Sequence, residues 1–550
     1  MLPVKCSVVV VGGGPCGLML ANELGRRGID ITLVDEKPDT AFNPQANATQ
    51  ARTMEYFRRL GIADEIRSLG MPDEFPTDIA YFTRFCTHEL ARVKLPSARE
   101  AKAQADGLDS LWSAAELPHR VSQKYVEAVL RRHAEQMRGV SINYGWRMNA
   151  FRQFDTYVEV DVERIRDGFR QTLNCEYLVG ADGPRSKTRE ALGFQYGGET
   201  GIVRDFMGGR MYAIYARCPD LYRLSPNAPA WMNVCFNPER RAFMAAVDGK
   251  GEFAFHTQLK PHEVDAEITE DDARRMFQSA AGAELDVEIL SRGSWTAGHA
   301  LVSNGFQSGR VFLGGDAVHL FTPTGGLGYN TAIEDAVNLA WKLAAVIRGQ
   351  AREKLLDTYE AERQPIARRN TQYARRFADS LGLFQPVPEI EAESASGADA
   401  RRVAGAYFES HGRAEFKIPG VTFGGRYDGS AAIVSDGTDP PEDKANVYIA
   451  TACPGGRPPH LWLPDGSSLY DAFGLEWTLL CLGPIQKDAS VMAEEARRRN
   501  LDLKVVSLPL PTARDLYGAD FALIRPDQVV GWRGDSCDSA ARIFRQILGE

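Results

Sequence analysis

Val8-Val9-Val10-Val11-Gly12-Gly13-Gly14-Pro15-Cys16-Gly17 is the stretch that decides the fold. Four consecutive valines read as a strand buried on both faces, and the glycines after it turn the chain sharply. Pro15 predicts the first turn of a helix, where its missing N–H costs nothing. Leu18, Ala21 and Leu24 recur at helical spacing, Gly28 ends the helix, and Ile29 to Val34 predicts the next strand. In Gly12-x-Gly14-x-x-Gly17 the first glycine permits the turn. The second lets backbone approach a pyrophosphate, and the third lets helix and strand pack closely. Asp35 stands near the expected interval of about 20 residues, where a carboxylate would hold a ribose hydroxyl pair, and Glu36 is its alternative.

Two further strand-and-turn signatures lie downstream. Tyr177-Leu178-Val179 runs into Gly180-Ala181-Asp182-Gly183. Alone it reads as a loop, but Asp182 would sit at the carboxyl end of a strand, where open α/β sheets place ligands. Val311-Phe312-Leu313-Gly314-Gly315-Asp316 repeats the pattern, and Pro323-Thr324-Gly325-Gly326-Leu327-Gly328-Tyr329-Asn330 leads into a helix. Open N–H groups at that helix start can stabilise negative charge on a bound ring system. His319, between the two, reads as a structural hydrogen-bonder rather than a base.

At 550 residues the chain should form two to four domains, and 44% hydrophobic with 25% charged residues is ordinary for a globular protein. A net charge of −9 argues against nucleic acid or an anionic membrane surface as the main partner. No apolar run is long enough to span a bilayer, and the N-terminal stretch reads as a buried strand rather than a signal peptide. Nine cysteines occur singly, without CxxC or metal-ligand spacing, which predicts reduced thiols, a cytoplasmic setting and no bound metal.

Amphipathic helices are predicted over 54–69 and 122–138, and a strand over 156–165 that turns at Asp167-Gly168. From about 205 to 300 strands, turns and scattered aromatics predict a β-rich layer inserted in the α/β frame. After Asn330 a helix is predicted with a Thr331–Glu334 capping box and a stop at Gly349. These patterns give a first domain from 1–75, 100–195 and 300–385, a β-rich domain from 76–99 and 196–299, a linker at 386–404 and an α/β unit at 405–550. Strands near 476–482, 503–507 and 520–524 and a last helix around Ile543 to Leu548 build that unit.

Taken in order, GGGPCG with Asp35, GADG at 180–183 and the glycine-rich run from 314 to 330 resemble the three signatures of single-component (group A) flavoprotein aromatic hydroxylases. The p-hydroxybenzoate and phenol hydroxylases are of this group. Ile333 to Leu343, Gln50 to Glu55 and Ser122-Gln123 extend the likeness. Gly455-Gly456-Arg457, Ser468 to Asp471 and Ile524 to Gln528 are similar to the thioredoxin-like extension of the phenol hydroxylase branch.

The resemblance implies a Rossmann-like FAD domain of the p-hydroxybenzoate hydroxylase type, interleaved with a β-sheet substrate domain and followed by a thioredoxin-like domain. It implies FAD as cofactor and NADPH or NADH as co-substrate. Gly12, Gly14, Pro15, Gly17 and Asp35 would hold the adenosine-diphosphate half. Arg52 and Gln123 would lie near the pyrophosphate and ribityl chain, and Asp316 would bond the ribityl. Pro323, Gly326, Gly328, Tyr329 and Asn330 would cradle the flavin's pyrimidine edge, and Asp182 would serve both FAD and the pyridine nucleotide. Gln45 stands where many relatives carry an arginine. Asn47 stands where phenol hydroxylase has an aspartate beside the substrate, and an asparagine cannot act as a base. Cys453-Pro454-Gly455-Gly456 has a single cysteine, so the last domain would be a packing or dimerisation module, compatible with a homodimer.

The implied activity is NAD(P)H- and dioxygen-dependent hydroxylation of a phenolic or polycyclic aromatic through a flavin C4a-hydroperoxide. Tyr212, Tyr215 and His256 are the candidates for a catalytic base. Asn47, Tyr212, Trp231, Phe236 and Pro323 are the candidates for substrate contact. The alternatives are an epoxidase or Baeyer–Villiger-type oxygenase of the same fold, and a flavin-binding sensor without oxygenase activity.

Overall fold

The valine run forms strand Lys5–Val11, central in an eight-stranded sheet. Val8 and Val10 enter the core on one face, Val9 and Val11 the core on the other, which is why the run is unbroken. The computed structural model describes residues 1–104, 114–200, 204, 206–483 and 489–550. Ile31–Asp35, Val140–Tyr144, Phe169–Gly180 and Val311–Leu313 complete a parallel set around the first strand. Helix Pro15–Gly25 packs between Leu327–Ile347 and Gln123–Glu135. Val158–Arg164 and Phe169–Gly180 form the hairpin expected at Asp167-Gly168, with Gly168 at φ 69°.

A second, seven-stranded sheet runs in the order Glu288–Ala297, Gly209–Arg217, Glu252–Gln258, Arg241–Ala246, Met232–Phe236, Ile79–Phe82 and Glu89–Val93. One face is closed by helix Glu270–Ala281, whose Phe277 meets Phe253 and Phe255 at 6.5 and 5.3 Å. The last sheet is ordered Leu503–Ser507, Trp477–Cys481, Phe521–Ile524, Val530–Gly534, with the first pair parallel and the rest antiparallel. This second-first-third-fourth order is the thioredoxin-like arrangement. No helix among the described residues is long and apolar enough to cross a membrane.

Three expectations are corrected. The helix read over 54–69 is two helices, Ala51–Leu60 and Ala63–Ser68, because Gly61 at φ 77° ends the first. The helix after the third motif starts at Leu327 rather than Thr331. The Thr331 hydroxyl donates back to the Leu327 carbonyl at 2.9 Å inside the helix, so its capping box does not form. The linker read over 386–404 holds a turn at Pro388–Glu391 and the start of helix Ala395–Phe416, capped by Ser394. Its serines, alanines and glycines are a contact surface rather than linker composition. A Cβ on Gly405 would lie 2.3 Å from the Leu90 carbonyl, and Phe408 stacks on Tyr81 at 4.7 Å.

Two interior histidines give the fold a pH dependence. Burial pushes His119 down to about 3 and His460 down to about 4. In the unfolded chain each titrates near 6.5. The unfolded state therefore takes up protons first as pH falls, so stability declines below about pH 6.5 and keeps declining toward pH 4. At pH 5 each residue should oppose folding by about 2 kcal/mol. Urea midpoints at pH 7.5 and pH 5 should differ accordingly, and equal midpoints would contradict the reading.

Candidate active site

All three glycine motifs leave the first sheet at one edge. Val11 and Leu313 both align with Gly180. The Ala181 N–H donates to the Val11 carbonyl at 2.7 Å, and the Gly314 N–H to the Gly180 carbonyl at 3.0 Å. Segments separated by more than a hundred residues thus turn away from the sheet side by side, at its carboxyl edge.

The first turn has little slack. Gly12 lies at φ 113°, and a Cβ there would stand 2.0 Å from the Ala181 carbonyl oxygen; one on Gly17 would stand 1.9 Å from the Gly12 carbonyl. Gly14 is different. Its φ is an ordinary −83°, it caps the helix without a side chain, and a Cβ on it would meet nothing within 4 Å. The helix start therefore faces open space with its first N–H groups available, the geometry of an anion cradle. Asp35 accepts the Gly13 N–H at 2.6 Å and the Lys37 N–H at 2.7 Å, which fixes the turn. Glu36 is exposed.

Asp182 braces the start of helix Lys187–Ala191, whose cap is Ser186: Oδ1 accepts from the Ser186 hydroxyl at 2.5 Å and Oδ2 from the Thr188 N–H and hydroxyl at 3.0 and 2.9 Å. Its neighbour Arg189 donates to the Pro184 and Ala317 carbonyls, both at 3.2 Å, tying the second motif to the third. His319 is a structural hydrogen-bonder, fully buried 2.7 Å from Asp335. Asp335 also accepts the Gly315 N–H at 3.1 Å and Arg363 at 2.7 Å. Burial would raise the Asp335 carboxyl, but the charges of His319 and Arg363 outweigh it and hold it low.

Asp316 is left without a side-chain hydrogen bond among the described residues. Solvent reaches it through the cleft. Enough protein surrounds it that loss of hydration still pushes its carboxyl up, partly offset by His319 and Lys37.

Gly325 and Gly326, at φ 66° and 62°, turn the chain into helix Leu327–Ile347. Asn330 then knits this helix to the loop before Ala51. Its Nδ2 donates to the Ala48 and Gly326 carbonyls at 3.0 and 2.6 Å, and its Oδ1 accepts from the Gln50 N–H and Thr53 hydroxyl at 2.9 and 2.7 Å. Gln123 donates to Glu127 at 2.7 Å while its backbone N–H holds the Ala46 carbonyl at 2.7 Å. Gly328 lies against Phe321, burial pushes the Tyr329 phenol up, and Gln45 and Pro323 are exposed.

Arg52 is not at this edge. Its guanidinium is buried against the C-terminal domain, donating to the Gln528 carbonyl at 2.7 Å and to Glu55 at 3.1 Å, above the Tyr56 ring. Helix Ala51–Leu60 turns that face toward residues 527–528, so the sequence reading of Arg52 as a pyrophosphate ligand is corrected.

The second sheet presents a face to the same region. Cross-strand register puts Ala213, His256, Phe243 and Gly293 in one row. His256 stacks on Phe243 at 4.6 Å and accepts the Trp295 indole N–H at 3.1 Å. All three rings are partly exposed. With Nδ1 accepting, the neutral ring carries its proton on Nε2, so His256 is a hydrogen-bond donor rather than a base.

Tyr212 lies on the opposite face, buried, with its hydroxyl 3.2 Å from Arg292. Tyr215 shares the row's face, but its hydroxyl is taken by Lys124 at 2.5 Å and by Glu252, and burial keeps it protonated. Phe236 is core, packed among Phe206, Phe384 and Phe408. Tyr212, Tyr215 and Phe236 are therefore withdrawn as catalytic or pocket residues. Phe243 and Trp295 were missed, because strand alternation shows which residues share a face but not which face stays open. Trp231 is buried beneath Arg120, whose guanidinium lies 4.0 Å from the ring centroid. The Asn47 Oδ1 is buried with no partner among the described residues.

Residues 5–374 match the family described as FAD binding domain, and 451–550 match that described as aromatic-ring hydroxylase, C-terminal. The chain is 30% identical to phenol 2-monooxygenase of Pseudomonas sp. (strain EST1001), over 99% of this chain and 93% of that one. Among solved structures it is similar to RebC, soaked with chromopyrrolic acid and carrying bound 7-carboxy-K252c, at 29% identity and a TM-score of 0.88 over the whole of both chains. It is equally similar in shape to the flavin-dependent monooxygenase PieE in complex with FAD and substrate, at 28% identity and a TM-score of 0.88, again over both full chains.

Proposed function

The chain belongs to the FAD-dependent aromatic-ring hydroxylase family, and from that premise we propose how its residues divide the work. It is a flavoprotein monooxygenase that hydroxylates phenolic or polycyclic aromatic compounds. The cofactor, FAD, supplies hydride acceptance from NADPH or NADH and activation of dioxygen. The residues present fit it: a glycine helix start facing open space and an unpaired carboxylate, Asp316, on the same sheet edge.

In this reading the N–H groups after Gly14 hold the pyrophosphate and Asp35 the ribose. Asp316 takes the ribityl hydroxyls, and the backbone from Gly325 to Leu327 meets the pyrimidine edge. Asp335, Asp182 and Asn330 are positioning residues, since each is spent on fixing a motif loop. The aromatic substrate lies against Phe243, His256 and Trp295, with the His256 Nε2–H as donor and Asn47 Oδ1 as acceptor for a ring hydroxyl. Asn47 orients that hydroxyl without removing its proton. Nine cysteines and no disulfide among them support a reducing, cytoplasmic setting.

The convergence of three motifs beside one open aromatic sheet face carries this reading. Its test is a panel of phenols and fused-ring aromatics assayed for stimulated NAD(P)H oxidation, with labelled dioxygen and product identification. One labelled oxygen atom should enter the ring as a hydroxyl. Label in a ring-expanded ester or an epoxide would assign the alternative chemistry, and no stimulation by any aromatic would refute the hydroxylase.

A further inference from the structure

Arg120 is a cation without a counter-ion among the described residues. Its guanidinium makes no hydrogen bond or ion pair among the described residues and rests only on the face of Trp231. Enclosure lowers it to about 10, and no carboxylate among the described residues opposes that shift. The side chain is nevertheless partly exposed, so the cation stays within reach of a ligand, and a cation–π contact of this kind returns only about 0.5–1 kcal/mol. Arg363 and Arg525, among the largest fully buried side chains, are by contrast fully paired.

A second orphan lies beside it. Trp231 is 2% exposed, and its indole N–H is buried without an acceptor. The stacked pair thus sets a partly exposed cation beside a buried N–H with no acceptor among the described residues, and a native interior rarely leaves such a donor unmatched. His119 next to Arg120 is held neutral by burial and supplies no charge.

The pair sits between the Thr49–His119 bridge and the second sheet. His119 and Thr49 exchange both backbone hydrogen bonds, at 2.8 and 2.9 Å, so the chain alternates there. His119 turns toward Gly70, and Arg120 goes the other way, to the second sheet. Trp231 opens strand Met232–Phe236 of that sheet and meets Phe416 at 6.3 Å. The adjacent Glu415 accepts the Gly325 N–H at 2.9 Å, and Ala48, one residue before Thr49, touches Gly326. Segments in contact with Arg120 and Trp231 thus also touch the loop assigned to the reactive end of the cofactor.

We propose that Arg120 and the Trp231 indole N–H bind an anionic oxygen of the aromatic substrate, a ring carboxylate or an ionised phenol. This rests on the aromatic hydroxylase reading and deepens it. A planar guanidinium suits either anion, donating to both oxygens of a carboxylate or to the single oxygen of a phenolate. It also supplies what Asn47 lacks, by favouring the ionised phenol through charge rather than through a base.

The test uses the FAD-loaded enzyme and the change in flavin absorbance on titration. One arm compares 4-hydroxybenzoate and 1-hydroxy-2-naphthoate with their methyl esters. The other follows 4-nitrophenol, whose spectrum reports its own ionisation. In the wild type at least one acid should bind 10-fold or more tighter than its ester, or 4-nitrophenol should bind as the phenolate at a pH where it is mostly neutral in water. Arg120→Gln should abolish that preference, Arg120→Lys should keep part of it, and Trp231→Phe, which keeps the stacking face and removes the N–H, should weaken it. Flavin content and unfolding midpoint identify variants that fold, and Trp231→Phe serves if Arg120→Gln does not.

A carboxylate preference with neutral 4-nitrophenol assigns the carboxylate, and the converse assigns the phenolate. Neutral aromatics that bind and turn over with no anion preference, or a preference unchanged in Arg120→Gln, would overturn this inference while leaving the hydroxylase standing. No response to any aromatic would overturn both.

Discussion

Gly12→Ala should purify without FAD, while Gly14→Ala should fold as well as the parent and yet bind FAD at least ~10-fold more weakly. The two glycines are required for different reasons, and the pair of variants separates them. At Gly12 the backbone is at φ 113°, and the new methyl would stand 2.0 Å from a carbonyl oxygen of the neighbouring motif. Neither backbone can yield without moving a central strand. A strained dihedral costs about 1–3 kcal/mol and overpacking about 1–3 more. That total distorts the turn even without ligand, so the unfolding midpoint should fall along with flavin content.

At Gly14 nothing of the protein lies within 4 Å of the new methyl, and φ is −83°. Only a bound group can object to it. The 450 nm absorbance per protein, with FAD titration of the apoprotein and urea unfolding, reads all of this. A Gly14→Ala protein that binds FAD as the parent does would place the pyrophosphate elsewhere.

Glu362→Ala should destabilise the protein by about 3–5 kcal/mol, the range for breaking a buried ion pair from one side. Glu362 lies where helix Thr358–Leu383 meets the C-terminal domain. Its Oε1 accepts from Arg525 and Ser430 at 2.7 and 2.6 Å, and its Oε2 from Lys342, Asn338 and Arg525 at 2.6, 2.7 and 2.9 Å. Glu362, Lys342 and Arg525 have no exposed side-chain surface. Burial would raise the Glu362 carboxyl, but Arg525 and Lys342 outweigh it and hold it far below the carboxylate range.

Its stabilising contribution is therefore complete above the unfolded value near 4.5 and is lost only in stronger acid, as pH falls through the folded value. Burial already lowers Lys342 to about 8, with Glu362 opposing. Without Glu362 the lysine should lose its proton near neutral pH. Denaturant unfolding of Glu362→Ala at pH 7.5 measures the loss. Replacing Glu362 and Lys342 together by methionine should restore most of it, since Arg525 keeps Asp527 as its partner at 2.6 Å and no charge is then left unpaired. A single substitution costing under about 1 kcal/mol would show that the cluster does not hold the domains together.

Trp341 and Trp477, 5.7 Å apart edge to face, mark the same junction. The junction also explains the misreading of Arg52. Its sequence neighbourhood is that of a cofactor loop, but the last domain supplies the carbonyl of Gln528 and claims the guanidinium. A contact between residues so far apart leaves no local trace in either segment.

The sequence by itself determined the cofactor frame. Strand, glycine turn and helix are local events, set by valine packing on both faces, by the φ freedom of Gly12 and by Pro15 at a helix start. Those rules operate within about ten residues, which is why the three motifs could be read in order. His319 as a structural group was legible for the same reason. Tertiary structure alone decided the substrate side. Strand alternation separates Tyr212 from His256 but cannot say that helix Glu270–Ala281 closes the tyrosine's face and leaves the histidine's open. Nor does local sequence show that Ala395–Phe416 packs on a strand instead of linking domains, or that no carboxylate among the described residues meets Arg120. Each of these depends on which distant surface arrives first to cover a side chain, and burial, charge pairing and exposure are properties of that assembled packing.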